Sequence, residues 1–276
     1  MDVNRTAVMR TSVGAKTLRQ PAVAGRFYPA NPDKLRKMVD AFMESAKVSA
    51  RGKVKAVIAP HAGYAYSGPI ASSAFVHFAQ ERNAIKRIIL LGPSHRFAFD
   101  GIALSRAEVF ATPCGAVTLD QPEINRVMDL TGVHFEERAH EHEHSLEVEL
   151  PFLQQTLADF TVVPLVIGEA SDEAVAKVID RLWGGDETRF VISSDLSHYY
   201  DYEAACELDR FTAQNIERAA PEEITGQHAC GYVPIRGFLH AAQRRRLGGQ
   251  TVDLRNSGDT AGPRDQVVGY GAFVFS

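Results

Sequence analysis

The chain has 276 residues, of which 45% are hydrophobic and 23% are charged, and its formal net charge at pH 7 is −4. This is an ordinary globular composition, and the length is sufficient to bury a sizeable core. The small net charge and the lack of a basic stripe argue against a nucleic-acid-binding protein. No apolar run approaches the roughly 18 residues of a membrane-spanning helix, so no association with a membrane is expected.

The three cysteines, Cys114, Cys206 and Cys230, are widely spaced and include no CxxC pair. A disulfide framework is therefore not expected, and the cysteine usage favours the reducing environment of the cytoplasm. Residues 1–18 contain several basic side chains but no apolar segment of the kind found in a secretory signal. They are predicted to form a disordered tail ahead of a single domain over residues 19–276.

Beyond this tail, apolar runs of strand length alternate with segments of helical spacing. Strands are predicted at residues 54–59, 87–91, 160–167, 189–193, 250–254 and 266–275. Helices are predicted at residues 34–46, 69–80, 121–130, 145–160, 172–182, 202–219 and 233–247, and Pro151 predicts a kink or a late start in the fourth of them. The alternation predicts an α/β fold: a single domain with a central mixed, largely parallel sheet flanked by helices on both faces.

Three of these strands each end in a polar turn that holds a histidine. His61 follows the first strand in the stretch VKAVIAPHAGYAYSG, His95 follows the second in LLGPSH, and His198 follows the fourth in SSDLSH. The carboxyl ends of strands are where α/β sheets bind ligands. Each histidine alone is explained as well by a turn residue bonded to the backbone, but the repeated pattern predicts that the three turns meet in one site.

Asp195 precedes His198 by three residues. If the turn is helical, the two side chains share one face. The carboxylate would then orient the imidazole, either as support for a metal ligand or as the partner of a general acid or base. A helix N-cap is the alternative interpretation of Asp195.

Cys230 lies directly before a predicted helix, whose N-terminus would stabilise a thiolate. As a thiolate beside two imidazoles it would complete a metal site, whereas a small buried hydrophobe is the alternative. In the run EHEH that follows His140, His142 and His140 itself are predicted to face solvent and His144 to point inward. Tyr64 and Tyr66 either line a pocket or pack in the core.

The motifs PAVAGRFYP, APHAGYAYSG, LLGPSH, EHSLEVELPFL, SSDLSH, ACGYVPI and VVGYGAFVF occur in this order over residues 19–276. Together they resemble the Memo family (mediator of ErbB2-driven cell motility) in its prokaryotic branch, whose members are named the B component of the AmmeMemoRadiSam system. The Memo fold is similar to that of the class III non-haem iron extradiol dioxygenases. The resemblance therefore implies a central mixed sheet flanked by helices in one domain.

The resemblance also implies metal ligands at His61, His95 and Cys230, with the cysteine in place of the dioxygenase carboxylate. It implies that His198, with Asp195, corresponds to the acid/base group rather than to a ligand. Phenylalanine takes the place of the family tryptophan near the N-terminal motif. The expected pocket lining is Phe27, Tyr64, Tyr66 and His144.

Two function classes stay open. The first is a dioxygenase-like non-haem metal oxidoreductase that uses iron or copper on an unknown small substrate, since a thiolate shifts a two-histidine site towards thiophilic metals. The second is a non-catalytic protein whose pocket binds a metal, a small molecule or a peptide. The resemblance also implies AMMECR1-like and radical-SAM partners. A zinc hydrolase with His61, His95 and His198 as ligands is a third, weaker alternative.

Overall fold

The computed structural model describes residues 17–49 and 52–276. The predicted tail at residues 1–18 therefore lies almost wholly outside the described residues. Its last part is described, because Leu18–Arg19 forms a short strand, β1, that pairs in parallel with Val109–Thr112. The described fold thus begins ahead of the predicted boundary at residue 19.

The remaining strands and helices alternate along the chain. Strands β2 to β12 are Ala56–Ala59, Arg87–Pro93, Ile102–Leu104, Val109–Thr112, Gly115–Thr118, Val133–Phe135, Thr161–Ile167, Thr188–Ser193, His198–Tyr200, Gly249–Asn256 and Val267–Phe275. Helices α1 to α8 of the described residues are Pro32–Ser45, Tyr64–Phe75, Gln121–Asn125, Glu137–Glu141, Leu150–Thr156, Asp172–Arg181, Tyr202–Glu217 and Tyr232–Arg245.

Nine strands form one mixed sheet in the order β10-β12-β2-β9-β3-β8-β4-β7, with β11 also paired to β12. The central strands β2, β9, β3 and β8 are parallel neighbours. Strand β12 runs antiparallel to β2, β10 and β11, and β4 runs antiparallel to β8. The predicted α/β fold, with a central mixed sheet flanked by helices, is confirmed. The strands β1, β5 and β6 form a separate three-stranded sheet.

The sequences of the central strands are largely apolar runs, which is typical of parallel strands covered on both faces. Every residue of β2 and β9 is buried. Helices α6 and α8 pack against each other, and α2 packs against β11 and β12. None of the helices in the described residues is both long and apolar enough to cross a membrane.

Two prolines show how local chemistry sets the helix bounds. Helix α5 starts only at Leu150, with Pro151 in its first turn, where the missing N–H has no helical partner to lose. The late start predicted from Pro151 is therefore confirmed. Helix α2 was expected from residue 69 but begins at Tyr64, so Pro69 lies inside it. The turn that holds His61 is shorter than expected as a result.

Candidate metal centre

Three predicted ligand positions come together at the carboxyl edge of the central strands. His61 follows β2 and His95 follows β3, and β9 lies between these two strands. Cys230 lies just before α8, and its backbone N–H donates to Asp195 O in the turn after β9, 3.2 Å away. One ligand atom from each of the three side chains lies within 4.8 Å of the other two. The parallel topology thus gathers distant chain positions into one cluster.

His61 is buried and held at three points. Its backbone N–H donates to Asp195 Oδ1 at 2.7 Å, its Nδ1 lies 2.8 Å from Ser193 Oγ, and its Nε2 lies 3.3 Å from Cys230 Sγ. Burial lowers the pKa of His61 well below the ordinary histidine value, and neighbouring imidazoles add to this effect. The ring is therefore neutral at pH 7, which is the form that binds metals.

His95 is fixed by a carboxylate that the sequence did not single out. Glu143 Oε2 accepts from the backbone N–H of His95 at 2.5 Å, and Glu143 Oε1 lies 3.0 Å from His95 Nδ1. Oε1 also accepts from the backbone N–H groups of His144 and Ser145, at 2.8 Å each. Burial alone would raise the pKa of Glu143, but its contacts with His95 lower it below the ordinary value. An ionised carboxylate keeps the proton on Nδ1 and leaves Nε2 as the ligand atom.

The first described segment of the chain clamps the loop that carries Glu143. Arg19 donates to the carbonyl oxygens of His140 and Glu143, at 2.7 and 2.6 Å, and pairs with Glu147 at 2.8 Å. Glu147 is fully buried and also accepts from the Tyr28 hydroxyl and from two backbone N–H groups near Arg19. These contacts fix the position of Glu143 and, through it, of His95.

The thiol of Cys230 is enclosed by the turn after β9. Its Sγ lies 3.6 Å from Asp195 O and 3.8 Å from Ser194 Oγ. Burial raises the pKa of Cys230 to about 12, so this effect outweighs the stabilisation of a thiolate that was expected from the helix N-terminus. Gly231 permits the close packing, because a Cβ at this position would lie 2.7 Å from Ser194 Cβ.

His144 and Phe27 lie beside the cluster. The His144 ring stacks on His95, with centroids 4.7 Å apart, and meets the edge of His61 at 5.5 Å. The Phe27 ring packs against His144 at 4.8 Å. Burial lowers the pKa of His144 to about 4, so this ring is also neutral at pH 7. Its Nδ1 lies 3.2 Å from Glu143 Oε1, in an orientation that makes no hydrogen bond.

Asp195 does not make the expected contact with His198. The chain between β9 and β10 forms no helix, and His198 begins β10, where it pairs with Val268. His198 Nδ1 lies 2.8 Å from Leu196 O, whereas the Asp195 carboxylate accepts from the backbone of His61. The expectation rested on the helical rule that side chains three residues apart share a face, and no helix forms here, which explains the difference. His198 is still close enough to the cluster for a charge on its ring to lower the pKa of His61.

The two tyrosines after His61 have different surroundings. Tyr64 is buried, donates its hydroxyl proton to Val148 O at 2.6 Å and packs against Phe152, so it belongs to the core. Tyr66 is 41% exposed. The structure thus separates two residues that the sequence assigned to one pocket lining.

The two histidines that were expected to face solvent also differ. His142 is exposed, but His140 is buried, with Nε2 3.1 Å from Ala103 O and its ring against Phe110. The expectation for His140 is therefore wrong. The reason is that Phe110, in β5, supplies an apolar surface that the local sequence around His140 does not reveal.

A cleft of about 350 Å³ opens onto the cluster. Its polar lining includes His95, Cys230, Arg96 and Glu169, and its apolar walls include Phe97, Phe99, Ile167 and Val233. The volume is at the lower end of the range for small-molecule sites. The cleft therefore gives a small, partly apolar molecule access to two of the three ligand side chains.

Two other groups of possible ligands occur among the described residues. His95, Glu143 and His144 form one, which shares His95 with the cluster, and Asp172, Glu173 and His240 form another, which lies elsewhere. The Asp172 carboxylate is paired with Arg236 at 2.7 Å and lies 3.1 Å from His240 Nε2. A guanidinium already balances this carboxylate, so the group reads as an ion-pair network on the α6–α8 surface rather than as a metal site.

Comparison with known proteins agrees with the motifs. A family model described as Memo-like protein matches residues 19–274. The chain belongs to the Memo family. It is 35% identical to a MEMO1 family protein of Aquifex aeolicus, over 94% of this chain and 99% of that protein. MEMO1 family proteins of Methanococcoides burtonii and Sulfolobus acidocaldarius are 34% and 33% identical, over 93% and 92% of this chain and 99% and 97% of their own lengths.

The Memo-family match spans all three ligand turns and the loop that carries Glu143. The family resemblance inferred from the motifs is therefore confirmed over nearly the whole domain. One ligand atom from each of the three side chains that the resemblance implied as ligands lies within 4.8 Å of the other two.

Proposed function

We propose that this Memo-family protein binds one redox-active metal ion, iron or copper, through His61 Nε2, His95 Nε2 and Cys230 Sγ. The observation that carries the proposal is the convergence of these side chains within 4.8 Å. Metal–sulfur and metal–nitrogen bonds of ~2.3 and ~2.0–2.1 Å place two ligand atoms about 3.5 Å apart at a tetrahedral angle. The separation of 3.3 Å between His61 Nε2 and Cys230 Sγ is close to this value.

The orientation of both imidazoles supports the same assignment. His61 Nδ1 is occupied by Ser193 and His95 Nδ1 by Glu143, so each ring has its Nε2 left for a ligand. Metal-binding histidines are commonly held in this way by a hydrogen bond at the other ring nitrogen. Two imidazoles and one thiol suit a thiophilic first-row metal better than magnesium or calcium, which prefer oxygen ligands.

We further propose a dioxygenase-like oxidoreductase activity on a small molecule that enters the cleft beside His95 and Cys230. A bound iron or copper ion would supply Lewis acidity and electron transfer. His198 would supply proton transfer: its Nδ1 faces the carbonyl of Leu196 and donates to it, so its Nε2 keeps a lone pair. Burial lowers the pKa of His198, so the ring is a neutral base at pH 7.

Metal binding is tested by loading the metal-free protein with Fe(II) or Cu under anaerobic conditions. Bound metal is measured by elemental analysis and located by anomalous scattering in crystals. We expect about one equivalent in the wild type and affinity losses larger than the ~10–100-fold typical of supporting residues in the variants H61A, H95A and C230S. H142A and C206S are matched controls, because neither residue belongs to the cluster. Equal binding by the wild type and C230S would refute the ligand assignment.

Catalysis is tested separately, by oxygen uptake of the metal-loaded protein with a panel of small aromatic diols. We expect H198A to lose turnover while it keeps its metal, because His198 is assigned to proton transfer rather than to metal binding. Turnover that survives H198A unchanged would exclude this role. Activity with tightly bound zinc alone would instead favour the hydrolase alternative.

A non-catalytic function is the second candidate, and the thiol of Cys230 favours it. A thiolate ligand is itself open to oxidation, which suits metal storage or sensing as well as turnover. The same cleft would then take a small molecule or a peptide, with AMMECR1-like and radical-SAM proteins as proposed partners. A pull-down with the wild type and with C230S distinguishes the two functions. A partner whose binding depends on the metal would be lost from C230S, whereas an enzyme that oxidises diols needs no protein partner.

A further inference from the structure

Ser193 Oγ lies at the centre of three polar groups behind the metal cluster. Ser145 O is 2.6 Å away, Glu149 Oε1 is 2.8 Å away, and His61 Nδ1 is 2.8 Å away. A serine hydroxyl has one proton to donate and can accept two hydrogen bonds. All three contacts can be hydrogen bonds only if two of the neighbours donate.

The donor of each bond follows from elimination. Ser145 O is a carbonyl oxygen and can only accept, so the Ser193 proton goes to it. His61 Nδ1 and Glu149 Oε1 must then both carry a proton. If Glu149 were ionised and accepted the hydrogen bond from the Ser193 hydroxyl, Ser145 O and Ser193 Oγ would face each other at 2.6 Å with no hydrogen between them.

We propose that Glu149 is a neutral carboxylic acid that donates to Ser193, and that it is a positioning residue for His61. With Ser193 committed to Ser145, its second lone pair accepts from His61 Nδ1–H. The His61 Nε2 lone pair then faces Cys230 Sγ, 3.3 Å away. The protonation of Glu149 stands on the hydrogen-bond geometry alone, whereas its effect on a ligand rests on the proposed metal function.

The surroundings of Glu149 favour the neutral form. Its side chain is fully buried, and its second oxygen, Oε2, has no hydrogen-bond partner among the described residues. No cation pairs with Glu149 among the described residues. The titratable groups that interact with it electrostatically are Asp195 and Tyr64. Burial raises the pKa of Glu149 well above its ordinary value, the bond to Ser193 opposes this, and Asp195 adds to it. A buried carboxylate with one unpaired oxygen would be far more costly than the acid.

The first test uses the metal-free protein, so it does not depend on metal binding. The infrared absorption of protonated carboxyl groups is recorded at pH 7 for the wild type and for E149Q. We expect the difference spectrum to contain one protonated carboxyl band from the wild type. Its absence would overturn the proposal.

A stability measurement provides an independent readout of the same proton. A folded-state pKa above the unfolded value means that stability is complete at low pH and is lost as the pH rises. The unfolding equilibrium constant of the wild type should therefore increase relative to that of E149Q, by about tenfold per pH unit between pH 5 and 7. A ratio that does not change with pH would overturn the assignment of a neutral acid.

The positioning role is tested by the tautomer of His61 and by metal affinity. Glutamine keeps an N–H donor for Ser193, whereas methionine has similar volume and no donor. We expect nitrogen NMR of His61 to show Nδ1–H in the wild type and E149Q and a mixture in E149M, with metal affinity about tenfold lower only in E149M. Wild-type tautomer and affinity in E149M would refute positioning. If the wild type binds no metal, the proposed metal function fails, and the infrared and tautomer results still decide the state of Glu149.

Discussion

Replacing Glu143 with glutamine tests whether the carboxylate prepares His95 to bind a metal. Three of its four contacts go to Oε1, and the fourth joins Oε2 to the backbone N–H of His95. A glutamine that keeps its oxygen at the Oε1 position must turn its amide N–H₂ towards this backbone N–H. The variant therefore loses one charge-assisted bond and leaves two donors facing each other, which costs roughly 1.5–3 kcal/mol.

Part of this loss should appear in metal affinity, because supporting residues of metal-binding histidines typically contribute ~10–100-fold, or about 1.4–2.7 kcal/mol. The assay is anaerobic competition of E143Q and wild type against a chelator of known affinity. E141Q is the matched control, since the Glu141 side chain is 65% exposed and lies two residues away. An affinity of E143Q within about twofold of the wild type would refute the reasoning.

Three further outcomes follow from the described contacts. Burial lowers the pKa of His140 to about 3, below its unfolded value, so its contribution to stability is complete above pH ~6.5 and is lost as the pH falls. H140Q should therefore reduce the slope of unfolding free energy against pH, measured with urea from pH 4.5 to 7, by up to about 1.4 kcal/mol per pH unit. An unchanged slope would contradict this. G231A should lose about tenfold or more in metal affinity, because the new Cβ meets backbone and side-chain atoms closer than 3.0 Å. The control G226A, whose Cβ has no contact under 3.5 Å, should keep its metal affinity. Equal losses in the two variants would exclude steric displacement of the thiol. D195A should destabilise the fold by about 1–3 kcal/mol in urea unfolding, because the backbone N–H of His61 loses its acceptor. The NMR titration midpoint of His198 should not change in this variant. A large shift of that midpoint would show that Asp195 and His198 interact as the sequence predicted.

The central parallel strands of the fold are predictable from the sequence, and strands β7 and β10 are not. Parallel strands covered on both faces are apolar at most positions, so β2, β3, β8 and β9 appear as largely apolar runs. Strands of three residues, such as β7 and β10, have no measurable periodicity and form because a neighbouring strand offers backbone partners. The failure at β10 mattered for the site, because a helical turn there would have paired Asp195 with His198.

The ligand positions were accessible from the sequence to different degrees. His61 and His95 follow apolar strands, and the rule that ligands bind at strand carboxyl ends points to both. Cys230 follows no strand. Its position before a predicted helix left two interpretations open, a thiolate ligand and a small buried hydrophobe, and the family resemblance favoured the ligand. Glu143 was missed because its neighbours in the run HEHEH look like a solvated loop, although a carboxylate two residues before a predicted helix was a usable signal.

The buried acids next to the site are easier to recognise in the sequence than Glu143. Glu147 and Glu149 occur in the apolar segment SLEVELPFL, where charged side chains are expected only if they are paired or neutral. In the structure Glu147 pairs with Arg19, whereas no cation pairs with Glu149 within the described residues, which fits the neutral form proposed for it. Which acid is paired depends on strand β1, more than a hundred residues away in the chain, so the local sequence cannot distinguish them.

The metal-free protein should remain folded, because every ligand is already held by contacts that do not involve a metal. His61 is fixed by Ser193 and Asp195, His95 by Glu143, and Cys230 by the backbone of Asp195. A site held in this way sits on a large core and differs from small metal domains, in which the binding free energy is the folding free energy.

Removal of the metal by a chelator should therefore lower the melting temperature without abolishing the cooperative transition. The loss of stability should equal RT ln(1 + [M]/Kd), which is about 2.7 kcal/mol when the free metal concentration is 100 times Kd. Calorimetry at several free metal concentrations measures this dependence, and C230S, treated identically, should show a smaller shift. A metal-free protein without a cooperative transition would contradict the preformed site, because it would mean that the contacts of His61, His95 and Cys230 depend on the metal for their geometry.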